Sequence, residues 1–169
     1  MIAFDEGFYV EKTIAVSPEK AWEIISTPEG LMHWHPFIKT NTAESWNGVG
    51  SKDHLLYNSG FEFTREVVNW LEGEGYDLKV TENGKRENKA IWRIIPIDEN
   101  HCTLRITGRV EFIKSWPFPI RWFLIKFKMK PVFSQYLFQI LEGFAYYAET
   151  GKQVQSDQFG SHPMFSKKC

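Results

Sequence analysis

The chain carries almost no net charge. Its 20 Lys and Arg against 21 Asp and Glu leave −1 at pH 7 with His neutral, so the long-range field that draws proteins to nucleic acid is missing and no nucleic-acid partner is expected. Cysteine is scarce. Cys102, inside a strand-like run, and Cys169, at the terminus, do not make a disulfide framework and suit a reducing compartment. Long apolar runs are missing too. The greasiest stretch, residues 116–129, is broken by Pro117, Pro119, Arg121, Lys126 and Lys128, which excludes a plain membrane span. The opening MIAFDEGFYVEK has acids and no apolar h-region, so a secretory leader is not expected. A soluble, cytoplasmic protein is the expectation.

Catalytic and metal signatures are also lacking. Asp53-His54 with Ser51 nearby supplies the residue types of a hydrolase triad, but neighbours on a strand point to opposite faces and there is no nucleophile elbow. GVGSK, residues 48–52, lacks the spacing and the following helix of a phosphate loop and reads as a hairpin turn. His33 and His35 have no Cys, Asp or Glu at ligand spacing, and a zinc site wants more than a pair of imidazoles. No metal and no cofactor are expected.

What is abundant is aromatic side chain, 16% of the chain with 14 Phe and 7 Trp. That implies either a large core or a cavity lined with rings. A length of 169 residues suits one domain over residues 1–169, with a core at 8–151, an insertion at 113–130 and a tail at 152–169.

The patterning divides cleanly. FYVEKTIAV, residues 8–16, reads as a strand with Lys12 interrupting its apolar face. SPEKAWEIIS opens a helix at Ser17-Pro18-Glu19, and Thr27-Pro28-Glu29 repeats the start signal for a second short helix, PEGLMHWH. Period two then takes over in runs at residues 37–44, 49–57, 61–71, 76–82, 87–97 and 101–113, separated by turn pairs such as Asn47-Gly48 and Asn83-Gly84. The run at 61–71 places Phe61, Phe63, Arg65, Val67 and Leu71 on one face. Arg93, Arg105 and Arg109 fall on the wet face as cross-strand partners of acids. Last comes PVFSQYLFQILEGFAYYAETG, residues 131–151, a helix from Pro131 to a Gly151 C-cap. Gln135, Gln139, Glu142, Tyr146 and Glu149 draw one narrow polar stripe along it, and the rest is a broad apolar face that needs a concave partner.

The fold class that follows is α+β, a seven-stranded antiparallel sheet covered by a long C-terminal helix, with two short helices between the first strands. That order, the wording VEKTIAVSPEKAWEIISTPEGLMHWHPFI, the turn NGVGSK and the late strand pair resemble the START-like helix-grip superfamily called SRPBCC. It includes the birch-pollen allergen family, StAR-related lipid-transfer domains and polyketide cyclase/dehydrase-like proteins. The resemblance, over residues 8–151, implies a sheet curved around the last helix with a hydrophobic cavity between them, and ligands ranging from sterols and lipids to polyketides. Residues 113–130 depart from the family's short link into that helix.

Strand parity and helix face nominate Phe63, Trp92, Ile94, Ile106, Val110 and Phe112 for the cavity wall, with Ile140 and Phe144 opposite. Trp34 is placed in the core or at the cavity mouth. Tyr147, Arg65 and His35 are the candidate polar anchors. An inward Arg65 needs either an internal carboxylate or an anionic ligand. The function expected is binding of a small or medium hydrophobic ligand, lipid, sterol-like or polyketide-like. Alternatives are a cyclase or dehydrase using the same cavity, and an interaction module whose cavity is filled by its own rings. KSWPFPIRWFLIKFKMK, residues 114–130, mixes aromatics with five positive charges and reads as a lid, an extension of the last helix, or a gate making transient contact with an anionic membrane. The tail is expected to pin itself with Phe159, Met164 and Phe165.

Overall fold

In the computed structural model, which describes residues 7–111 and 113–168, the period-two runs become one sheet. The strands are β1 (Gly7–Ile14), β2 (Ile38–Ala43), β3 (Lys52–Tyr57), β4 (Glu62–Leu71), β5 (Gly75–Glu82), β6 (Arg86–Asp98) and β7 (His101–Val110). Their order is β1-β7-β6-β5-β4-β3-β2, antiparallel at every pairing. The first strand is thus one edge and the second the other, and two short helices, α1 (Pro18–Ser26) and α2 (Leu31–Trp34), carry the chain across between them. Ser17 caps α1 by accepting from the Lys20 N–H at 3.1 Å, with Pro18 in the first turn. The second start signal is weaker than its wording suggests. Glu29 sits in the left-handed region at φ 58, so α2 begins only at Leu31.

The curved sheet closes on the C-terminal helix. Residues Phe118–Leu124 form α3, a π-helical turn spans Ile125–Met129, and α4 runs Lys130–Thr150. Pro131 therefore does not begin the helix, because the helical path already extends back to Phe118. A proline in the first turn of α4 loses no bond that the π turn has not already displaced. The far end is as the sequence implies. Gly151 at φ 70 terminates α4 with its N–H on the Tyr147 carbonyl at 2.8 Å.

The polar stripe on α4 is engaged by other parts of the chain. Lys12 Nζ pairs with Glu142 at 2.7 Å, the Ala15 N–H donates to Glu149 at 3.0 Å, and buried Gln139 donates to the Phe159 and Gly160 carbonyls of the tail. On the flank of that stripe, one turn on from Gln139, Gly143 permits closure. A Cβ there would lie 2.3 Å from the Trp34 carbonyl oxygen, so only glycine lets α4 sit on α2 at this point.

Two details of the sheet differ from simple alternation. A bulge between Val67 and Asn69 resets the alternation and puts Trp70, in place of Leu71, on the inner face opposite Tyr76. Asn47-Gly48 does not make a two-residue hairpin. The connection between β2 and β3 is longer and folds Trp46 into the core, its indole N–H on the Ile25 carbonyl at 3.3 Å. On the outer face Arg93 meets Asp77 at 2.6 Å and Arg105 meets Glu11 at 2.7 Å, as expected, whereas Arg109 borders the cavity between sheet and helix.

Candidate ligand cavity

Between the inner face of the sheet and the first half of α4 lies a space of about 850 Å3 free of protein atoms, part of it open to solvent. Its sheet wall includes Phe63 on β4, Leu78 on β5, Trp92 on β6, and Ile106 and Val110 on β7. The helix wall is Phe133, Tyr136, Leu137 and Ile140, successive positions on one face. Lys89 is the one exposed residue on the wall, across the ladder from Arg109. There the cavity meets solvent.

Of the candidates named from sequence, His35, Phe63, Arg65, Trp92, Ile106, Val110 and Ile140 line this space. Trp34, Ile94, Phe144 and Tyr147 do not. Trp34 and Phe144 pack edge to face at 5.3 Å where α2 meets α4, so they seal the structure beyond the cavity. Ile94 is buried in the part of the sheet that α1 covers. Tyr147, another turn along α4, stacks on His33 at 5.8 Å and faces a separate groove of about 500 Å3 lined also by Trp34 and Lys20. Phe112 lies outside the described residues.

Deep in the wall sits a buried ion pair. Asp53 and Arg65 are directly opposed in the β3–β4 register, and Arg65 donates from Nε to Oδ1 at 2.9 Å and from its terminal nitrogen to Oδ2 at 2.5 Å. Asn41 adds a bond to the same carboxylate at 2.8 Å, and the Trp46 ring lies 4.5 Å from the guanidinium carbon. Burial disfavours the arginine cation, but the charge and hydrogen bonds of Asp53 outweigh it and hold the proton more tightly than usual. Arg65 is on the wall, yet its fork is committed to a carboxylate from its own sheet. That is the internal-partner option of the two open to an inward arginine.

Beside this pair stands a second polar group, made of His35, Tyr57 and Tyr136. Burial, helped by the Arg65 charge, pushes the His35 imidazole down to about 3, so it is neutral near pH 7. Its Nδ1 accepts from the Phe37 N–H at 3.2 Å, which leaves the single ring proton on Nε2, 3.3 Å from the Tyr136 hydroxyl. Tyr136 and Tyr57 share a short hydroxyl–hydroxyl bond. Burial drives both phenols up, Tyr57 to about 12 and Tyr136 well above its ordinary value. Counting protons then gives a definite result. His35 donates one, one phenol donates to the other, and the remaining phenolic O–H has no acceptor among the described residues.

Tyr57 and Tyr136 are not among the sequence candidates, and Phe165 is one only as a residue that pins the tail. Tyr57 shares strand parity with Asp53 and Leu55, and Tyr136 lies one turn before Ile140, so strand and helix periodicity both carried a signal. For Phe165 the sequence signals a packing role in the tail and nothing about the cavity. The tail brings it against Tyr136 at 4.3 Å and Tyr57 at 4.8 Å between ring centres, while His162 fixes the tail to the Val132 carbonyl at 3.0 Å. Among the described residues no group of His, Cys, Asp and Glu is arranged to hold a metal ion, and no helix is long and apolar enough to cross a membrane.

A sheet curled around a helix with a cavity between them is the arrangement the sequence resemblance implied, and residues 6–149 match the family of polyketide cyclases/dehydrases and lipid transport proteins. The chain belongs to that family. Solved structures agree on the fold. An aromatase/cyclase, Zhui, from Streptomyces sp. R1128 superposes with a TM-score of 0.67 at 13% identity, over 85% of this chain and 93% of that one. A START superfamily protein from Mycobacterium smegmatis gives 0.65 at 15% identity, over 86% and 99%. DynU16, from the dynemicin biosynthetic locus, gives 0.64 at 16% identity over 90% of this chain. The chain spans only 52% of the length of DynU16. No curated protein matches the sequence.

Proposed function

We propose that this polyketide cyclase-like protein binds a hydrophobic molecule in the cavity, with a hydrogen-bond acceptor on the ligand, such as a carbonyl oxygen, against the Tyr57–Tyr136 pair. The observation that carries the reading is the unclaimed phenolic O–H on a largely apolar wall. A buried donor without a partner is costly, and a ligand acceptor removes that cost. The wall supplies affinity without direction, and the phenols supply orientation. The Asp53–Arg65 pair stiffens the floor beneath them and, being internally neutralised, does not ask for an anionic ligand.

A matched pair of probes tests this. The tricyclic ketone fluorenone and its hydrocarbon counterpart fluorene differ in one acceptor, and the ketone is expected to bind about tenfold tighter. The preference should vanish in the Tyr57→Phe/Tyr136→Phe double variant while fluorene binding persists. Equal affinities for the two probes in the parent protein refute the acceptor. If neither probe binds and native mass spectrometry finds no copurifying adduct, the cavity reading itself fails and the self-filled module stands.

Family membership and the same O–H also favour a second reading, a cyclase. A hydroxyl donated to a ligand carbonyl stabilises negative charge developing on that oxygen, and the cavity holds a flexible chain near its reacting shape. Conversion of a poly-β-ketone substrate that stops in the phenylalanine double variant, with binding retained, would select this reading over simple carriage.

A further inference from the structure

No residue of the segment 114–130 is buried. It holds Trp116, Phe118, Ile120, Trp122, Phe123 and Phe127, each between 39% and 52% exposed. Every exposed Trp and Phe among the described residues lies between positions 116 and 138. Ile125 and Met129, spaced so that the π turn keeps them in line with Phe133, pack against the core. An exposed apolar surface of this kind marks an interaction site.

Charge identifies the partner. Residues 112–141 contain Lys114, Arg121, Lys126, Lys128 and Lys130 and no acid, a local charge of +5 that leaves −6 on the rest of a chain whose total is −1. The arm is therefore drawn to an anionic surface while the body is repelled by it, which sets an orientation. Four of the five cations are lysine. Lysine is depleted at protein interfaces but suits a bilayer surface, where its stem lies along apolar groups and its ammonium stays among the headgroups. Lys126 already adopts that posture, its Nζ 4.7 Å from the Trp122 ring centre and 5.5 Å from that of Phe127. Tryptophan completes the set, since its amphipathic ring favours the membrane interface.

Both roots of the arm are cavity-wall residues, Val110 at the end of β7 and Phe133 in α4. We propose that residues 114–130 dock on an anionic lipid bilayer, and that the hydrophobic ligand passes between that bilayer and the cavity beneath the arm. The second half rests on the function proposed above, while the first does not.

Vesicles of phosphatidylcholine containing about 30% phosphatidylglycerol should sediment the full chain, and raising salt should release it. Phosphatidylcholine alone should hold it about tenfold less. Trp122→Ser/Phe123→Ser/Phe127→Ser and, separately, Lys126→Glu/Lys128→Glu should each lose at least about tenfold in vesicle affinity, and both should keep the fluorenone affinity of the parent in vesicle-free solution. Arm variants that sediment like the parent overturn the docking, as does a parent chain that ignores anionic vesicles. A parent that is dimeric on a sizing column, with monomeric arm variants, assigns the surface to a second copy of the chain and equally overturns it. If vesicles bind but fluorenone does not, docking stands and the ligand reading falls. If vesicle-bound protein does not exchange a fluorescent ketone with the bilayer faster than the arm variants do, the passage is refuted and the docking kept.

Discussion

Replacing His35 should flatten the acid side of the stability curve. In the fold the imidazole is buried and held at about 3, and in the unfolded chain it titrates at its ordinary 6.5. Between those values the unfolded state binds the extra proton, so stability rises with pH across the window and is lost as pH falls from about 6.5 toward about 3. At about pH 5 nearly every unfolded chain carries the proton and almost no folded chain does, while at about pH 7 only about a quarter of unfolded chains and essentially no folded chain carry it. Protonation of the unfolded state between those two points is worth about 2 kcal/mol. His35→Asn keeps an acceptor for the Phe37 N–H and cannot titrate. Urea unfolding followed by tryptophan fluorescence, at both pH values and on both proteins, isolates the effect. His162, lowered by burial in the same direction, is present in both proteins along with every carboxylate, so these cancel in the difference. The parent should lose about 2 kcal/mol more than the variant on going to the lower pH. Parallel losses would refute the neutral imidazole, and with it the assignment of the ring proton to Nε2 on which the count of phenolic hydrogens rests.

Three further expectations follow from the packing. Asp53→Ala leaves a guanidinium buried without its partner and should cost about 3–5 kcal/mol by urea unfolding, whereas Asp53→Leu/Arg65→Met should recover most of it; a single variant within about 1 kcal/mol of the parent would contradict the buried pair. Gly143→Ala drives a methyl into the Trp34 carbonyl and should lower stability by about 2 kcal/mol or more, against a gain of up to about 1 kcal/mol if the site were an ordinary exposed helix position. The Cys102 thiol is buried and pushed up by burial, so in a Cys169→Ser background a disulfide reagent should titrate no thiol until the protein is unfolded. Rapid labelling of the folded variant would mean that the β7 face is open.

The periodicities carried most of the fold. His101 to Val110 alternates so regularly that the inner face of β7 could be read directly, and the Ser17-Pro18 and Gly151 signals mark helix ends at the positions observed. Where the reading slipped, the cause is tertiary. A bulge moves Trp70 inward without any change in composition that announces it, and Glu29 in a left-handed conformation delays α2 past a well-formed start signal. The cavity was half legible. Parity places Phe63, Trp92, Ile106 and Val110 on the wall, but it does not say how far along the helix the wall extends, so Phe144 and Tyr147 were taken in place of Phe133 and Tyr136. That boundary is set by Gly143 and α2, a contact between segments more than a hundred residues apart. Phe165 belongs to the site only because the tail folds back over it.

The polar stripe explains how α4 can be fixed and still leave room beneath it. A helix lying on a filled core is located by dispersion contacts on its inner side, and a helix beside a void forgoes them. Here the inner side of the first half, Phe133 to Ile140, faces the cavity, so position has to come from behind. Gln139 is tied to the tail, Glu142 to Lys12, and Glu149 to the backbone at Ala15. These bonds are directional, and they engage the flank and back of the helix, leaving the cavity side uncrossed. Beyond Ile140 the arrangement reverses: Leu141, Phe144 and the contact at Gly143 close the helix on its neighbours, and there is no space to keep. In the other direction, before Phe133, both supports end together. The polar stripe stops at Gln135, the tail is fixed at the Val132 carbonyl, and toward Phe118 it is Ile125 and Met129 that pack against the core. The same helix is thus clamped where it seals, suspended where it spans the cavity, and bare where it projects. Its aromatic surface is most exposed in that projecting part.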